Sequence, residues 1–403
     1  MHPAFILTLL VLCDSICLRC YSMTEKLYYK NAYIKEFSAD IINCYSYNDG
    51  YAVILNKSAF FPCGGGQYGD MGEINGVEVI DTVEVDKNIL HLTKEPILPR
   101  KNVNCRINWK IRYNRMQNHS GEHILSGLIF SDFGYNNVGF HLSDNDVTLD
   151  CDGKLSEIDI AFLERKANAV IYQNRDIKTY FPSESELSEL EYRSKLDLTE
   201  NVRIVEIDGV DKCACCAPHL NSTSEIGIIK IIRHYNYKGG TRFHIKCGGM
   251  AYEDYTMINN QITEIANASS IKRDEVLSVY NKMNSEILSL KNTVRLLREK
   301  EIERESDTPE IFNDIIIHNV QSYSNNEMTS LLNKSLSKHK LTSCVFSKSD
   351  DGYSFIIGGK KSKAVFDLLK TLDAKGGGRE FIQGKIDCDI SKISEILKYK
   401  KDC

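Results

Sequence analysis

The sequence predicts an α+β protein of several domains, and three patterns along the chain lead to this prediction. Short apolar runs separated by turn residues fill the first hundred residues, helical and strand-like segments then alternate, and a long heptad pattern follows them. A chain of 403 residues has room for two or three hydrophobic cores. We expect a β-rich domain over 23–100, an α+β domain over 101–256, a long helical linker over 257–305 and a small α/β domain over 306–403.

Tight turns carry the prediction for the β-rich domain. Strand-like runs flank Asn48-Asp49-Gly50, and two further runs flank Asn75-Gly76. Asn-Gly between apolar runs is a strong hairpin signal. Several short strands joined in this way are typical of a small barrel or sandwich.

The α+β domain is predicted from helical periodicity over 117–130 and 158–176, an acidic helix over 183–196 and buried strand-like runs over 202–207 and 226–234. A single long helix is then expected over 255–304. Its apolar positions alternate four and three apart, at Val276, Tyr280, Met283, Ile287, Leu290, Val294 and Leu297. This spacing is that of a coiled-coil seam, in a helical hairpin or a dimer contact; a helix packed on its own domain is the alternative.

Composition narrows the class of protein. Hydrophobic residues make up 42% and charged residues 26%, as in an ordinary globular protein. A net charge of −5 excludes a globally basic nucleic-acid binder but leaves room for a local basic face. The 14 cysteines are mostly scattered, so we expect free thiols in a reducing compartment and a cytoplasmic protein.

Residues 1–22 contain an apolar run that imitates a signal peptide, although no Lys or Arg precedes it. The run is too short to span a bilayer as a helix. Met23 begins an ordinary polar segment, so 1–22 is either a misassigned start or a targeting segment, and no membrane partner is expected.

A possible metal site lies in two parts of the chain. His119 and His123 are one helical turn apart, which places both imidazoles on the same face. The segment from Cys213 through Cys215 and Cys216 to His219 lies between two predicted strands. Thiolate and imidazole are ligands that zinc prefers. Spacing alone leaves all three cysteines open as the partner of His219.

His119-Ser-Gly-Glu122-His123 also fits the H-x-x-E-H signature of a class of zinc peptidases, in which the glutamate is the general base. That class needs a further glutamate ligand downstream, whereas this chain has the Cys/His segment there.

A glycine-rich loop follows a predicted strand. Gly64, Gly65 and Gly66 let the backbone approach a ligand and present its N–H groups. Gln67 beside them can hydrogen-bond an ester carbonyl or a ribose hydroxyl. A long turn between strands is the alternative.

Taken together, these motifs resemble the alanyl-tRNA editing proteins, the freestanding relatives of the editing domain of alanyl-tRNA synthetase. The matching motifs are Ser58-Ala-Phe-Phe-Pro-Cys-Gly-Gly-Gly-Gln67, His119-x-x-x-His123, Cys215-x-x-x-His219, Trp109 with Arg112, and Gly139-Phe140-His141. The resemblance covers about 26–255. Beyond it, Gly376-Gly-Gly-Arg379 is similar to the C-terminal domain that the synthetase shares with the long editing proteins.

The resemblance implies a small N-terminal β-barrel, a zinc-binding α+β editing domain, a helical linker and the C-terminal domain. It implies one Zn²⁺ per chain, held by His119, His123, Cys215 and His219. The implied reaction is hydrolysis of mischarged tRNA(Ala), with Ser-tRNA(Ala) first and Gly-tRNA(Ala) next. Because no aminoacylation domain fits ahead of the barrel, the correction is expected to act in trans.

Several residues are given roles by hypothesis. Gln67 and the N–H groups of Gly65 and Gly66 would orient the substrate, Ser58 would sense a serine hydroxyl, and Glu122 is a candidate for acid–base work. The family often has Thr at the position of Ser58 and Glu at that of Cys63.

Within 360–403 there are 11 Lys and Arg against 7 Asp and Glu. Gly377 and Arg379, in the predicted glycine-rich turn, are therefore candidates for contact with the tRNA elbow or for dimerisation. A homodimer through the linker and the C-terminal domain is expected. The main alternative to a hydrolase is a non-catalytic, zinc-containing RNA-binding module.

Overall fold

The computed structural model describes residues 23–144, 146–194, 201–349 and 352–399. The predictions for residues 1–22 lie outside the described part. The chain divides into two compact units, one ending at Glu264 and the other beginning at Ile265. Both units combine helices with sheets, which confirms the mixed α+β class. Within the described ranges, no helix has the length and apolar character needed to cross a bilayer.

The first unit begins with a β-rich region. Its elements are β1 (Glu25–Lys26), α1 (Leu27–Lys30), β2 (Glu36–Ala39), β3 (Ile41–Tyr47), β4 (Gly50–Leu55), β5 (Lys57–Ser58), β6 (Gly72–Ile74), β7 (Val77–Val85), β8 (Asn88–Thr93) and β9 (Val103–Ile107). Seven of these strands form one antiparallel sheet in the order β2-β9-β6-β7-β8-β4-β3. Both predicted hairpins are confirmed, with Asn48 and Asn75 at positive φ in their turns.

The prediction of a closed barrel is wrong for the described residues. The sheet remains open between β2 and β3, which stand at its two edges. Only Asp40 separates these strands in sequence. A single residue is too short a loop for two antiparallel strands to fold back and pair, because hairpins need at least two.

The rest of the first unit packs two further sheets against a central helix. Its elements are α2 (Trp109–Phe133), β10 (Asn137–Leu142), β11 (Val147–Cys151), α3 (Glu157–Tyr172), β12 (Ile177–Tyr180), α4 (Glu184–Glu189), β13 (Ile204–Ile207), β14 (Asp211–Ala214), a 3₁₀ turn (Thr223–Ile226), β15 (Ile229–Tyr237), β16 (Gly240–Cys247) and α5 (Gly248–Ala268), whose last residues lie beyond the boundary at Glu264. The sheets have the orders β10-β11-β16-β15 and β12-β13-β14.

Helix α2 is the core of this region. The Asn108 side chain caps its first turn by accepting from the Ile111 N–H, and Gly134 ends it in the left-handed conformation. Nearly every residue from Met116 to Ile129 is buried, on all sides of the helix. Polar side chains on α2 are therefore inside the protein, where each needs a partner.

The second unit is built on one six-stranded sheet. Its elements are a 3₁₀ turn (Arg273–Glu275), α6 (Val276–Asp307), β17 (Glu310–Phe312), β18 (Ile315–Gln321), α7 (Asn325–His339), β19 (Thr342–Ser349), β20 (Gly352–Gly358), α8 (Ser362–Lys370), β21 (Lys375–Gly377), β22 (Ile382–Ile386) and α9 (Ile390–Tyr399). The strand order is β17-β18-β19-β20-β22-β21, and β18 pairs with β19 in parallel.

Two expectations for this part of the chain are corrected. The single long helix is interrupted after Ala268, because Ser270 takes a positive φ and Ile271 N–H bonds back to Ala266 O, a Schellman ending. The predicted glycine-rich turn is instead the edge strand β21. A Cβ on Gly376 would lie 2.3 Å from Gln383 O, so glycine permits this strand to pair closely with β22.

Candidate metal centre

Three histidines and one cysteine converge in the first unit. Helix α2 places His119 and His123 on one face, and the segment after β14 supplies Cys215 and His219. One ligand atom from each of the four lies within 4.8 Å of every other. Sγ of Cys215 is 3.5 Å from Nε2 of His119 and 3.4 Å from Nε2 of His219. The structure thus brings together all four predicted ligands.

Each imidazole is held from its outer edge. Nδ1 of His119 is 3.0 Å from Gln67 Oε1, Nδ1 of His123 is 2.8 Å from Asp211 Oδ2, and Nδ1 of His219 is 3.1 Å from Ser120 Oγ. A histidine that donates from Nδ1 carries its lone pair on Nε2. Each of the three rings is thereby oriented with the lone pair of its Nε2 on the side opposite its hydrogen-bond partner, as in metal-binding histidines.

The cluster favours a thiolate at Cys215. Burial by itself raises the pKa of the Cys215 thiol, but its imidazole neighbours, with His119 and His123 hydrogen-bonded to the sulfur, outweigh burial and hold that pKa well below its ordinary value. Burial lowers the pKa of His123, but its hydrogen bonds to Asp211 and Cys215 outweigh burial and raise that pKa well above its ordinary value, so a cation that binds there displaces a proton. Burial lowers the pKa of His219 to about 3, which keeps its ring neutral. Three imidazole nitrogens and one thiolate are a donor set that zinc accepts.

Cys213 and Cys216 differ from Cys215 in this respect. Burial raises the pKa of each to about 11, so both are neutral thiols near pH 7. The sequence left three cysteines open, and the geometry and charge favour Cys215.

The glycine loop forms a tight turn beside this cluster. Gly64 and Gln67 exchange two backbone hydrogen bonds of 3.0 Å, with Gly65 and Gly66 both at positive φ between them. A Cβ on Gly65 would lie 3.4 Å from Cys216 Sγ and 4.0 Å from His119 Cε1. Within the described part of the chain, neither the Gly65 N–H nor the Gly66 N–H donates a hydrogen bond. Both glycines line a cavity that His119 and His123 also line.

Replacement of Gly66 by alanine is expected to disrupt this turn. The new Cβ would lie 2.7 Å from Phe140 O, so loop or strand must move, and a loss of about 1–3 kcal/mol in unfolding free energy should accompany it. Gly76→Ala is the matched control, because Gly76 also has positive φ (+84°) but open space around it. Chemical denaturation of both variants measures the difference. Equal losses would contradict the close approach at Gly66.

Gln67 does not lie where the sequence led us to expect. It is buried, its Oε1 accepts from His119, and its Nε2 has no hydrogen-bond partner among the described residues. It is absent from the residues that line the cavity. Gln67 is therefore placed to orient a histidine rather than to hold a substrate.

Ser58 is also drawn away from the cavity. Its side chain is fully buried, its Oγ lies 2.7 Å from His91 Nε2, and it accepts from the Phe60 N–H at 3.1 Å. The expectation that Ser58 contacts a substrate is not supported by this placement, because the hydroxyl is used inside the β-rich core.

Glu122 lies on the cavity wall, outside the group of four ligands. Its Oε1 accepts a hydrogen bond from Asn137 Nδ2 at 2.5 Å and another from Ser126 Oγ. These neutral donors leave the carboxylate facing a cavity of about 430 Å³, in the size range of small-molecule sites. Gly377 and Arg379, in the second unit, are both exposed.

The comparisons with known proteins agree with this site. Residues 202–244, which include Cys215 and His219, match the family described as the threonyl and alanyl tRNA synthetase second additional domain. The chain is 29% identical over 286 residues to the alanyl-tRNA editing protein AlaX-L of Pyrococcus horikoshii, covering 68% of this chain and 71% of that protein. Over about two thirds of its length, the chain is therefore similar to an alanyl-tRNA editing protein.

The chain also matches longer proteins. The alanine–tRNA ligase of Pyrococcus furiosus is 28% identical over 404 residues, which cover 94% of this chain and 43% of the ligase. That of Ignicoccus hospitalis is 29% identical over 69% of this chain and 32% of the ligase. The chain therefore spans less than half the length of these ligases.

One solved structure is similar to part of the chain. The C-Ala domain of Aquifex aeolicus alanyl-tRNA synthetase is 23% identical, covers 22% of this chain and 97% of that domain, and has a TM-score of 0.19. At this TM-score the likeness supports no conclusion about the second unit.

The sequence alone did not indicate the residues that support the site. Asp211, Ser120 and Asn137 each hold a residue of the cluster or the cavity wall. Ser120 stands inside the His119–His123 motif, which was a usable signal. Asp211 pairs with His123 across 88 positions of sequence, and no local pattern indicates that contact.

Proposed function

We propose that this chain hydrolyses the ester that joins a wrong amino acid to tRNA(Ala), with Ser-tRNA(Ala) as the first substrate and Gly-tRNA(Ala) as the second. The observation that carries the proposal is the convergence of three oriented imidazoles and a thiolate, of which His119, His123 and Cys215 line the cavity. The names of the editing and ligase relatives supply tRNA(Ala) as the nucleic-acid partner.

The donor set fits one Zn²⁺, with His119, His123, Cys215 and His219 as its ligands. When bound, the ion supplies a positive charge that can stabilise charge growing on an ester carbonyl or orient the substrate amine. Gln67, Asp211 and Ser120 keep the three rings in position.

The cavity wall supplies the other groups that ester hydrolysis needs. The N–H groups of Gly65 and Gly66 are donors beside the cluster, and such donors stabilise an oxyanion when they are fixed before reaction. The Glu122 carboxylate can accept a proton from an attacking water, and Asn137 holds it in place.

Discrimination between seryl and alanyl esters follows from the polar groups on the cavity wall. Serine and alanine differ by one hydroxyl, and a site that pairs this hydroxyl rejects the residue that lacks it. Asn137 and Glu122 are polar groups of the wall, so they take over the part that Ser58 was expected to play.

The test is a deacylation assay with the full chain and three esters, Ser-, Gly- and Ala-tRNA(Ala). We expect the seryl ester to be lost fastest, the glycyl ester next, and the alanyl ester to be spared. If a folded, zinc-loaded chain binds tRNA and leaves all three esters intact, the non-catalytic RNA-binding module is the better account. The peptidase alternative lacks support, because Cys215 and His219 stand where that class needs a glutamate ligand.

The second unit is proposed to serve as the partner-binding part. Gly377 ends the exposed edge strand β21 and Arg379 follows two residues later, in a region with excess positive charge that suits a tRNA backbone. The six seam residues of α6 from Tyr280 to Leu297 are between 45% and 63% exposed, so within the described chain nothing covers them. We propose that a second copy of the chain does.

Leu290→Glu should therefore convert a dimer of the full chain into monomers, because a charge at a seam position is costly to bury. The neighbouring Lys291→Glu lies off the seam and should leave the mass unchanged. Light scattering measures both. A monomeric wild type, or a dimeric Leu290→Glu variant, would contradict the proposal that the seam is a dimer contact.

A further inference from the structure

Asp211 differs from the other two groups that hold the histidines. Gln67 and Ser120 are neutral, whereas Asp211 is a buried carboxylate, with its Oδ2 2.8 Å from His123 Nδ1. A carboxylate fixes the tautomer of a metal-bound histidine and increases the basicity of its other nitrogen. His123 is thus the imidazole whose donor strength depends on a charged neighbour.

Arg193 holds that carboxylate at two points. Its Nε is 2.7 Å from Asp211 Oδ1 and its Nη2 is 2.9 Å from Oδ2. The backbone around Arg193 is joined to β14 on both sides, since its N–H bonds to Lys212 O at 2.8 Å and its carbonyl accepts from Ala214 N–H at 2.9 Å. Arg193 is therefore fixed against the strand that leads to Cys215 through its backbone, and its guanidinium is fixed by Asp211.

The pairing of Asp211 with Arg193 disfavours a second possible set of metal ligands. His123, Asp211 and Cys213 also lie close enough to one another to share an ion. The positive charge of Arg193 on Asp211 opposes a cation there, and both carboxylate oxygens already accept hydrogen bonds.

We propose that Arg193 is a positioning residue: it holds Asp211 on His123 and so sets the geometry of the metal centre, without touching the metal. This inference rests on the proposed function for the identity of the reaction, but not for its spectroscopic test. Arg193 also lines the cavity, so the rival interpretation is that it contacts substrate directly.

The test compares Arg193→Gln and Arg193→Lys with wild type in the full chain loaded with Co²⁺. Loss of the two-point contact should shift the Co²⁺ absorption bands and lower kcat about 10- to 100-fold, with KM within about twofold. Lysine restores the charge but not the paired geometry, so it should fall between glutamine and wild type. Arg242→Gln is the matched control, because Arg242 pairs with Asp150 in the same two-point manner, at 2.6 Å, away from the cluster.

Two results would overturn the proposal. A raised KM with unchanged Co²⁺ bands would make Arg193 a substrate-binding residue. Unchanged bands with a fall in melting temperature like that of Arg242→Gln would make it a purely structural one. The absorption bands are read whether or not the wild type deacylates tRNA, so a failure of the proposed function leaves this inference separately tested. If Arg193→Gln does not fold, Arg193→Lys carries the same comparison.

Discussion

His123→Ala is expected to lose nearly all bound zinc and to slow hydrolysis of Ser-tRNA(Ala) by more than about 100-fold. The reason is that His123 combines two functions: its Nε2 faces the cluster, and its Nδ1 engages the Asp211–Arg193 pair at 2.8 Å. Changes to the groups that merely support a ligand cost about 10- to 100-fold, and loss of a ligand should cost more. Metal analysis of the purified full chain, together with the deacylation rate, measures both effects.

His234→Ala is the control for a histidine outside the cluster, since its ring is partly exposed and pairs with Glu157 at 3.0 Å. It should keep one zinc per chain and its full rate. A His123→Ala chain that retains stoichiometric zinc and activity would remove His123 from the centre.

Asp70→Asn is expected to cost about 3–5 kcal/mol of unfolding free energy, the largest stability effect that we expect from one substitution. Arg112 and Asp70 are both completely buried and form an ion pair, in which Arg112 Nε donates to Asp70 Oδ1 at 3.0 Å and to Oδ2 at 2.9 Å. The Arg112 guanidinium also donates to Ala32 O at 3.0 Å and Ala59 O at 2.6 Å, and Asp70 accepts from Phe61 N–H at 2.6 Å. Removing the carboxylate charge leaves a buried guanidinium without its counterion.

The matched control is Glu73→Gln. Glu73 Oε2 lies 2.8 Å from Arg106 Nη2 in an exposed ion pair on the seven-stranded sheet. Exposed pairs contribute about 0–1 kcal/mol. Denaturant titration of both variants gives the comparison. If the two substitutions cost the same, the buried pair does not join α2 to the β-rich region in the way the contacts indicate.

The local parts of this fold could be predicted from sequence because local patterns encode them. Asn75-Gly76 specifies its own hairpin, and the spacing of His119 and His123 specifies one face of a helix. The glycine loop was also recognisable, since Gly65 and Gly66 take the positive φ that glycine permits.

What escaped prediction depends on contacts between distant segments. The orientations of Gln67 and Ser58 could not be predicted, because a motif indicates that a polar side chain matters but not which way it faces. Gln67 turns to His119 and Ser58 to His91. The closed barrel failed because closure depends on the one-residue spacing at Asp40 rather than on strand number.

The most direct test of the central claim is the rate of Ser-tRNA(Ala) hydrolysis by one preparation of the full chain in three states: zinc-loaded, stripped by a chelator, and reloaded. Our account predicts rapid hydrolysis, near-complete loss, and recovery with about one zinc per chain, while Ala-tRNA(Ala) stays intact throughout. An equal rate in all three states, with the metal shown to be absent from the stripped chain, would contradict it.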